Sequence, residues 1–235
     1  MDAFCKPLRA RPAKPAQAAP AVRASVPISL GLRGADVRYY PKLWSAAESR
    51  EIERELAALP DWEQRKIIVC GRECMQNRKT CFFSRDPTLN YRYSGTDNSD
   101  SPLFPPVVER ICKRVELGVE VLGAKFNYCL LNLYADGREK IGWHADDERD
   151  LVGGSPIASC SFGAERFFDF RRQDDHSDKL RTNLESGSLI VMGVGTQTHY
   201  HHQVPAQLKI LAPRYNLTFR VVRAAPAVGA AGAAV

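Results

Sequence analysis

Long apolar runs and paired cysteines are missing from this chain of 235 residues. No apolar stretch approaches the roughly 20 residues that a membrane-spanning helix needs, so we expect a soluble protein with no membrane partner. The seven cysteines are odd in number, scattered, and never arranged as C-x-x-C. This spacing argues against a disulfide framework and against a structural zinc site at Cys70, Cys74 and Cys81. We therefore expect reduced thiols, as in cytosolic or nuclear proteins.

Acidic residues are scarce in the first 35 positions, where six basic residues stand against Asp2 alone. This segment accounts for +5 of the net charge of +6, so the basic balance belongs mainly to the start of the chain. Its Ala- and Pro-rich composition cannot bury a core, and we predict a disordered basic tail over 1–36. The same composition is typical of organellar transit peptides, so an organelle is the alternative to the nucleus. Residues 224–235, rich in Ala and Gly, are predicted to be a flexible tail.

A second basic excess lies between residues 65 and 92, where seven basic residues stand against Glu73 and Asp86. Aromatic residues are interleaved with these charges, namely Phe82, Phe83, Tyr91 and Tyr93. Basic and aromatic side chains together favour a surface that binds a polyanion. A solvated basic loop fits the charges equally well, and Tyr91 and Tyr93, which share a face, are also compatible with core packing.

The hydrophobic period changes along the chain from that of helices to that of strands. Ser45 and Glu48 form a capping-box pattern that opens one helix, and Pro106 opens a second. Short strands are predicted at 67–69 and 89–93, and from residue 126 the period is two, with strands at 126–134, 141–146, 156–162, 166–172, 181–185, 188–193, 199–204 and 214–223. Eight short strands behind two helices predict a mostly β fold, a double-stranded β-helix or jelly roll with helices packed on one outer face. We expect one domain over 37–223, with a lid and helices at 37–125 and the jelly-roll core at 126–223.

His144 and Asp146 are two positions apart, which places both side chains on one face of a strand. A third ligand is available among His199, His201 and His202, and residue type alone does not decide between them. If His202 is the ligand, the period of two turns His201 to the other face. Two His and one carboxylate with open coordination positions are typical of a non-haem Fe(II) oxygenase.

Four polar side chains share one face of the last predicted strand, Arg214, Asn216, Thr218 and Arg220. Their neighbours on the opposite face are apolar, so the two arginines need an anionic partner inside the fold. A dicarboxylate between them would satisfy both guanidinium groups. We therefore expect 2-oxoglutarate and O2 as cosubstrates of the iron, with further hydrogen bonds from Asn132 and Tyr134.

Several motifs, taken together and in this order, carry a resemblance to a known family. They are Asn132-Leu133-Tyr134, Trp143-His144-Ala145-Asp146-Asp147-Glu148, Ser161-Phe162-Gly163-Ala164, His202-x-x-Pro205 and Pro213-Arg214-x-Asn216-Leu217-Thr218-Phe219-Arg220. Over about residues 37–223 the chain resembles the AlkB family of Fe(II)/2-oxoglutarate-dependent nucleic acid dioxygenases, and it is most similar to the eukaryotic members that repair alkylated DNA. The resemblance selects His202, because the family's second His stands three positions before that Pro.

The resemblance implies an oxidative demethylase of N-alkylated bases such as 1-methyladenine and 3-methylcytosine. In the family the methyl group is hydroxylated and leaves as formaldehyde, while 2-oxoglutarate yields succinate and CO2. The resemblance further implies that Arg214 pairs with the distal carboxylate of 2-oxoglutarate and Arg220 with the carboxylate beside the metal. The implied catalytic set is His144, Asp146, His202 and Arg220.

The resemblance also assigns the substrate contacts. Tyr91 and Tyr93 match a pair that stacks on the flipped base, and Asp147 and Glu148 match positions that line the base pocket. Flipping is needed because a methyl group inside a stacked duplex is out of reach. Two further matches are a basic pair near the nucleic acid backbone, Arg78 and Lys79, and the segment Val69-Cys70-Gly71-Arg72.

In this last segment the chain departs from the family, because Cys70 stands where the duplex-preferring members carry a large aromatic wedge. Ile68 or Val69 is then the remaining candidate for a smaller wedge. We expect alkylated DNA as the partner, with single strands accepted, and a monomeric enzyme. The alternatives are the same chemistry on RNA, a hydroxylase of proteins or small molecules on the same fold, and an inactive nucleic-acid-binding module.

Overall fold

The computed structural model describes residues 26–69, 71–87, 89, 92–93, 96–97, 101–118 and 123–223. In these ranges the chain forms the helices α1 Ala46–Ala57, α2 Pro106–Gly118 and α3 Thr196–His199. The strands are β1 Ile28–Ser29, β2 Val37–Tyr40, β3 Lys66–Val69, β4 Arg72–Met75, β5 Lys79–Ser84, β6 Arg92–Tyr93, β7 Thr96–Asp97, β8 Tyr128–Tyr134, β9 Ile141–His144, β10 Ile157–Gly163, β11 Arg166–Arg172, β12 Lys179–Leu184, β13 Ser188–Met192, β14 Tyr200–Val204 and β15 Arg214–Arg220. No helix of the described ranges is long and apolar enough to span a bilayer.

Two antiparallel sheets face each other across an apolar layer. The larger sheet has seven strands in the order β1-β2-β13-β10-β15-β8-β5, and the smaller has four in the order β12-β11-β14-β9. Side chains of both sheets meet in one buried cluster, which includes Ile157 and Ile190 from the larger sheet and Phe168, Phe170 and Val204 from the smaller. The predicted jelly roll is confirmed.

Both long helices cover the other face of the seven-stranded sheet. The capping box of α1 forms as predicted, with the Glu48 amide donating to Ser45 Oγ and the Ser45 amide donating to Glu48 Oε2. Ile52 and Leu56 of α1 and Ile111 of α2 pack on this face in a second buried cluster. Burying large aliphatic side chains contributes roughly 1.5 to 3 kcal/mol each, so this layer stabilises the sheet that carries the site.

Two boundaries predicted from sequence are wrong. Residues 26–36 are not part of a disordered tail, because β1 pairs with β2 and Leu32 is buried against the core between the sheets. The predicted boundary at residue 125 does not separate a lid from the jelly-roll core, because β2 and β5 belong to the same seven-stranded sheet as the later strands. Residues 1–25 and 224–235 lie outside the described ranges.

Individual strands match the predicted periodicity, with shifts at their ends. β9 ends at His144 instead of 146, and β15 ends at Arg220 instead of 223. His199 belongs to the short helix α3 and not to the following strand. Of the strand predicted at 89–93, only Arg92–Tyr93 is described as a strand, and it pairs with β7.

The turn between β10 and β11 depends on Gly163, which has a φ of 86°. A Cβ at this position would lie 2.4 Å from the backbone oxygen of Pro213. Only glycine allows this close approach without displacement of the backbone. The turn therefore fixes the start of β15, where Arg214 stands directly opposite Gly163 and Tyr134.

Candidate metal centre

Three side chains that are far apart in sequence meet between the two sheets. His202 of β14 stands opposite His144 of β9, and the centroids of their rings are 4.2 Å apart. Asp146 follows β9, and its Oδ1 lies 3.8 Å from His144 Nε2. One ligand atom from each of the three side chains lies within 4.8 Å of the others, and among the described residues this is the one such group that could hold a metal ion.

Hydrogen bonding and burial keep both imidazoles available as ligands. His144 Nδ1 lies 2.8 Å from the backbone oxygen of Gly142. A carbonyl oxygen only accepts, so Nδ1 carries the proton and Nε2 is left unprotonated, facing the centre. Burial lowers the pKa of His144, and the nearby Arg78 and Arg220 lower it further, against the influence of Asp146. Burial, together with His144, lowers the pKa of His202 to about 3. Both rings are therefore neutral at physiological pH, the form that binds metal.

The carboxylate ligand is held ionised by its neighbours. Burial alone would raise the pKa of Asp146, but Arg220, His202 and His144 together hold it well below its usual range. The strongest partner is Arg220, whose Nη2 lies 2.9 Å from Asp146 Oδ2. A buried carboxylate with an opposite charge at this distance stays negative.

Gln197 of α3 also positions Asp146, a role that no sequence pattern indicated. Its Oε1 accepts a hydrogen bond from the backbone amide of Asp146 at 2.9 Å, and its Nε2 lies 3.6 Å from Met192 Sδ. Phe168 positions the second His, because its ring stacks on that of His202 with a centroid distance of 5.3 Å. Neither contact follows a sequence period, since each joins elements far apart in the chain.

The guanidinium of Arg214 is suited to an organic anion. The side chain is 1% exposed, and Nη2 donates to Ser161 Oγ at 2.8 Å. Its Nε and Nη1 are buried without a hydrogen-bond partner in the described part of the chain. Burial lowers the pKa of Arg214 to about 10, so the group is still charged at neutral pH. A buried cation with unsatisfied N–H donors fits a carboxylate as its acceptor.

The same cavity joins the metal ligands to this arginine. It is lined by His144, Asp146, His202, Arg220, Asn132 and Arg214, and also by Tyr134, Asn216 and Thr218. All nine residues predicted to hold metal or cosubstrate thus share one cavity. Sequence periodicity predicted most of this set, because strands alternate their side chains and all nine lie on or directly beside strands of the two facing sheets, whereas the choice of His202 needed the family resemblance. A larger groove of about 1270 Å³ lies against α1 and contains none of these residues.

The residues predicted to contact the substrate differ in their exposure to solvent. Asp147 is exposed and Glu148 half-buried directly after Asp146, and Gly71 and Arg72 lie at the exposed end of the β3–β4 hairpin. Lys79 is exposed on the edge strand β5, whereas Arg78 is buried at 4% exposure and reaches into the barrel. Arg78 therefore does not lie on the surface expected for a nucleic acid contact. Tyr91 and Cys70 lie outside the described residues, and for Tyr93 only the backbone is described.

Fold and site together define an oxygenase that uses iron and 2-oxoglutarate, and residues 36–220 match the 2OG-Fe(II) oxygenase superfamily. The chain is 41% identical over 193 residues to the DNA oxidative demethylase ALKBH2 of Bos taurus, covering 78% of this chain and 68% of that protein. It is 33% identical over 204 residues to the human alpha-ketoglutarate-dependent dioxygenase alkB homolog 3, covering 83% and 69%. A solved structure of OsALKBH1 superposes with a TM-score of 0.56 at 18% identity, over 80% of this chain and 96% of that one.

The chain belongs to the AlkB family of these oxygenases. It is an Fe(II)- and 2-oxoglutarate-dependent dioxygenase, with Fe(II), 2-oxoglutarate and O2 as its cofactor and cosubstrates, as predicted from the sequence. The described donors fit this assignment, because the centre offers two neutral imidazoles and one carboxylate, and the cavity offers buried N–H donors to a carboxylate.

Proposed function

We propose that the enzyme oxidatively demethylates N-alkylated bases in DNA, of the 1-methyladenine and 3-methylcytosine type. The observation that carries this proposal is a sequence identity of 40% to 41%, over 193 residues, to the Bos taurus, Mus musculus and Homo sapiens proteins named DNA oxidative demethylase ALKBH2. When bound, Fe(II) with 2-oxoglutarate and O2 supplies the oxidation that hydroxylates the methyl group. The hydroxymethyl group then leaves as formaldehyde, and succinate and CO2 are released.

Different residues of the cavity would bind the iron and the 2-oxoglutarate. His144, Asp146 and His202 would hold the iron, and Arg214 would bind the distal carboxylate of 2-oxoglutarate through its buried donors. Asn132 and Tyr134 line the same cavity and would donate to the cosubstrate. Arg220 keeps Asp146 ionised and would pair with the second carboxylate. The reacting centre is thus built almost wholly from side chains that the two sheets shield from water.

An acidic pair directly after the metal ligands supports a cationic substrate. Asp147 and Glu148 follow Asp146 in the loop after β9, on the side of the centre that faces solvent. Bases methylated at these nitrogens carry a positive charge, which nearby carboxylates would favour over an unmodified, neutral base. This charge relation supports methylated bases over neutral substrates of the same fold, such as most protein side chains.

The β3–β4 hairpin supports acceptance of single strands. Its two strands pair with each other and with no other strand of the described ranges, and Ile68 is 54% exposed. The position of the expected wedge is Cys70, and a thiol replaces a stacked base poorly compared with a large ring. We therefore propose that single-stranded DNA is used at least as well as duplex DNA. We also propose that the enzyme is monomeric and nuclear, as expected from the sequence.

The test is formaldehyde release from methylated oligonucleotides, single- and double-stranded, DNA and RNA. His202→Ala should abolish turnover, whereas His201→Ala, the neighbour on the opposite face of β14, should retain most of it. Equal loss in both variants would contradict the assigned ligand. Turnover of RNA alone would replace DNA as the substrate, and 2-oxoglutarate decarboxylation without formaldehyde from any oligonucleotide would indicate a different hydroxylase.

A further inference from the structure

Arg78 and Lys79 are adjacent basic residues whose side chains lie in different environments. Lys79 is exposed on the edge strand of the larger sheet, and Arg78 is 4% exposed. The Nε of Arg78 donates to Asn132 Oδ1 at 2.6 Å, across 54 positions of sequence. A charged donor at this distance makes one of the stronger hydrogen bonds available to an amide.

This bond determines which way round the Asn132 amide sits. A guanidinium only donates, so the atom of Asn132 that faces Arg78 must be the carbonyl oxygen. The amide nitrogen then faces Asn216 Oδ1 at 3.2 Å, which also accepts from Thr218 Oγ1. Asn216 Nδ2 in turn donates to Ser159 Oγ at 2.8 Å and to the backbone oxygen of Cys160 at 3.0 Å.

The donors of Arg78, Asn132 and Asn216 all point in the same direction, toward β10, and Thr218 adds a second donor to Asn216 Oδ1. A flipped Asn132 amide would oppose N–H to N–H at Arg78 and oxygen to oxygen at Asn216. Asn132 uses one of its two N–H bonds on Asn216, and its side chain lines the cavity of the metal centre. The fixed orientation therefore leaves an N–H, and not a carbonyl oxygen, for a ligand in that cavity.

We propose that Arg78 is a positioning residue for 2-oxoglutarate, acting through the orientation of the Asn132 amide. The inference rests on the proposed role of Asn132 as a donor to the cosubstrate. A carboxylate or keto oxygen accepts hydrogen bonds and is repelled by a carbonyl oxygen, so the amide must present nitrogen. Arg78 does not itself line the cavity, and its burial keeps it away from a nucleic acid phosphate.

The experiment measures the dissociation constant of 2-oxoglutarate calorimetrically with the Mn(II)-loaded protein, without turnover. Arg78→Met keeps the volume and removes the donor, and it should weaken 2-oxoglutarate binding about 10- to 100-fold. Arg78→Lys restores a charged donor and should recover most of the affinity. Melting curves of both variants show whether each is folded, and Arg78→Lys keeps the test decisive if Arg78→Met is not.

Asn132→Ala and the double variant separate positioning from a general structural effect. Asn132→Ala should weaken 2-oxoglutarate binding, and adding Arg78→Met to it should change the affinity by less than about twofold. Lys79→Met is the matched control: 2-oxoglutarate affinity should stay unchanged, while the salt dependence of DNA binding should fall by about one charge.

Three results would overturn the inference. If Arg78→Met binds 2-oxoglutarate as wild type while Asn132→Ala does not, Arg78 has no positioning role, and the proposed cosubstrate site stands. If Asn132→Ala also binds normally, Asn132 is not a cosubstrate ligand, and the inference fails together with that part of the proposed function. Weakened DNA binding by folded Arg78→Met with unchanged 2-oxoglutarate affinity would assign Arg78 to the nucleic acid instead.

Discussion

Arg220 donates from Nη2 to Oδ2 of Asp146 at 2.9 Å, and both side chains are less than 5% exposed. The candidate metal ligand and the arginine proposed to bind the cosubstrate therefore form one buried ion pair. Removing one partner of such a pair leaves an uncompensated charge and costs about 3 to 5 kcal/mol. The arginine supports the metal centre before any cosubstrate arrives.

Arg220→Met is expected to weaken metal binding as well as cosubstrate binding. Without the guanidinium, burial raises the pKa of Asp146 toward or above its usual value and disfavours the ionised ligand. The Mn(II) affinity of the variant, measured by titration without 2-oxoglutarate, should fall about tenfold or more. An unchanged Mn(II) affinity would show that Arg220 acts on the cosubstrate only.

Arg214→Met should weaken the binding of 2-oxoglutarate and leave the binding of the metal unchanged. Arg214 lies at the opposite end of β15 from Arg220, and its guanidinium donates to Ser161 and not to a metal ligand. Loss of the charge-assisted pairing with the distal carboxylate should weaken 2-oxoglutarate binding about 100-fold, with Mn(II) affinity within about twofold of wild type. Equal loss of both affinities would mean that the variant disturbs the whole cavity.

Gln197→Met tests the support of Asp146 by α3. The substitution keeps the length of the side chain and removes the acceptor for the Asp146 amide, so the loop that carries the ligand should loosen. We expect about a tenfold loss of Mn(II) affinity with little change in melting temperature. Gln173→Met is the control, because the side chain of exposed Gln173 donates to the backbone oxygen of Gln197 and not to Asp146. A similar loss in the control would assign the effect to α3 as a whole.

The metal-free protein should lose stability as the pH falls below about 6.5. The pKa of His202 is lowered from its ordinary value of 6.5 to about 3, so the unfolded chain binds a proton that the folded chain excludes. The stabilising contribution is complete above about pH 6.5 and declines as the pH falls toward about 3. Urea unfolding across this range measures it. His202→Gln should show a shallower decline, and an identical decline would attribute the pH dependence to other groups.

Ser45→Ala should affect stability alone. The hydroxyl caps α1 on the outer face of the larger sheet, away from the cavity. Loss of an N-cap costs about 1 kcal/mol, so the free energy of unfolding should fall by that amount with kcat and KM unchanged. Glu51→Ala, an exposed position on the same helix, should change neither quantity measurably. Altered turnover in Ser45→Ala would indicate that α1 communicates with the centre.

Much of the centre was predictable because β-strands impose a period of two. The pattern of Arg214, Asn216, Thr218 and Arg220 already separated the polar face of β15 from its apolar face. The choice of His202 over His199 and His201 needed the family resemblance, since residue type is the same. The structure adds that His199 lies in α3 and that His201 faces away from the buried ring of His202.

Other features could not be read from the sequence. Arg78 and Lys79 look alike as a basic pair, and only the packing of β5 against β8 places Arg78 beside Asn132. Residues 26–36 have the composition of a tail, yet β1 pairs with β2 and Leu32 is buried. Asn132 is 54 positions from Arg78, and Leu32 is buried in a cluster with Phe168 and Ile190, so the deciding contacts join distant parts of the chain.

Residue pattern and chemistry alone predicted the alternation of polar and apolar side chains along the strands, the types of the metal ligands, and the need for an anion between two arginines. Local periodicity and chemistry are properties of neighbouring residues, and they survive without a fold. The folded chain was needed to show that Gln197 bonds to the backbone of Asp146, that Arg220 pairs with this carboxylate, and that Arg78 points inward. These contacts depend on sheet register and on burial, which arise when distant strands pair and water is excluded from between them.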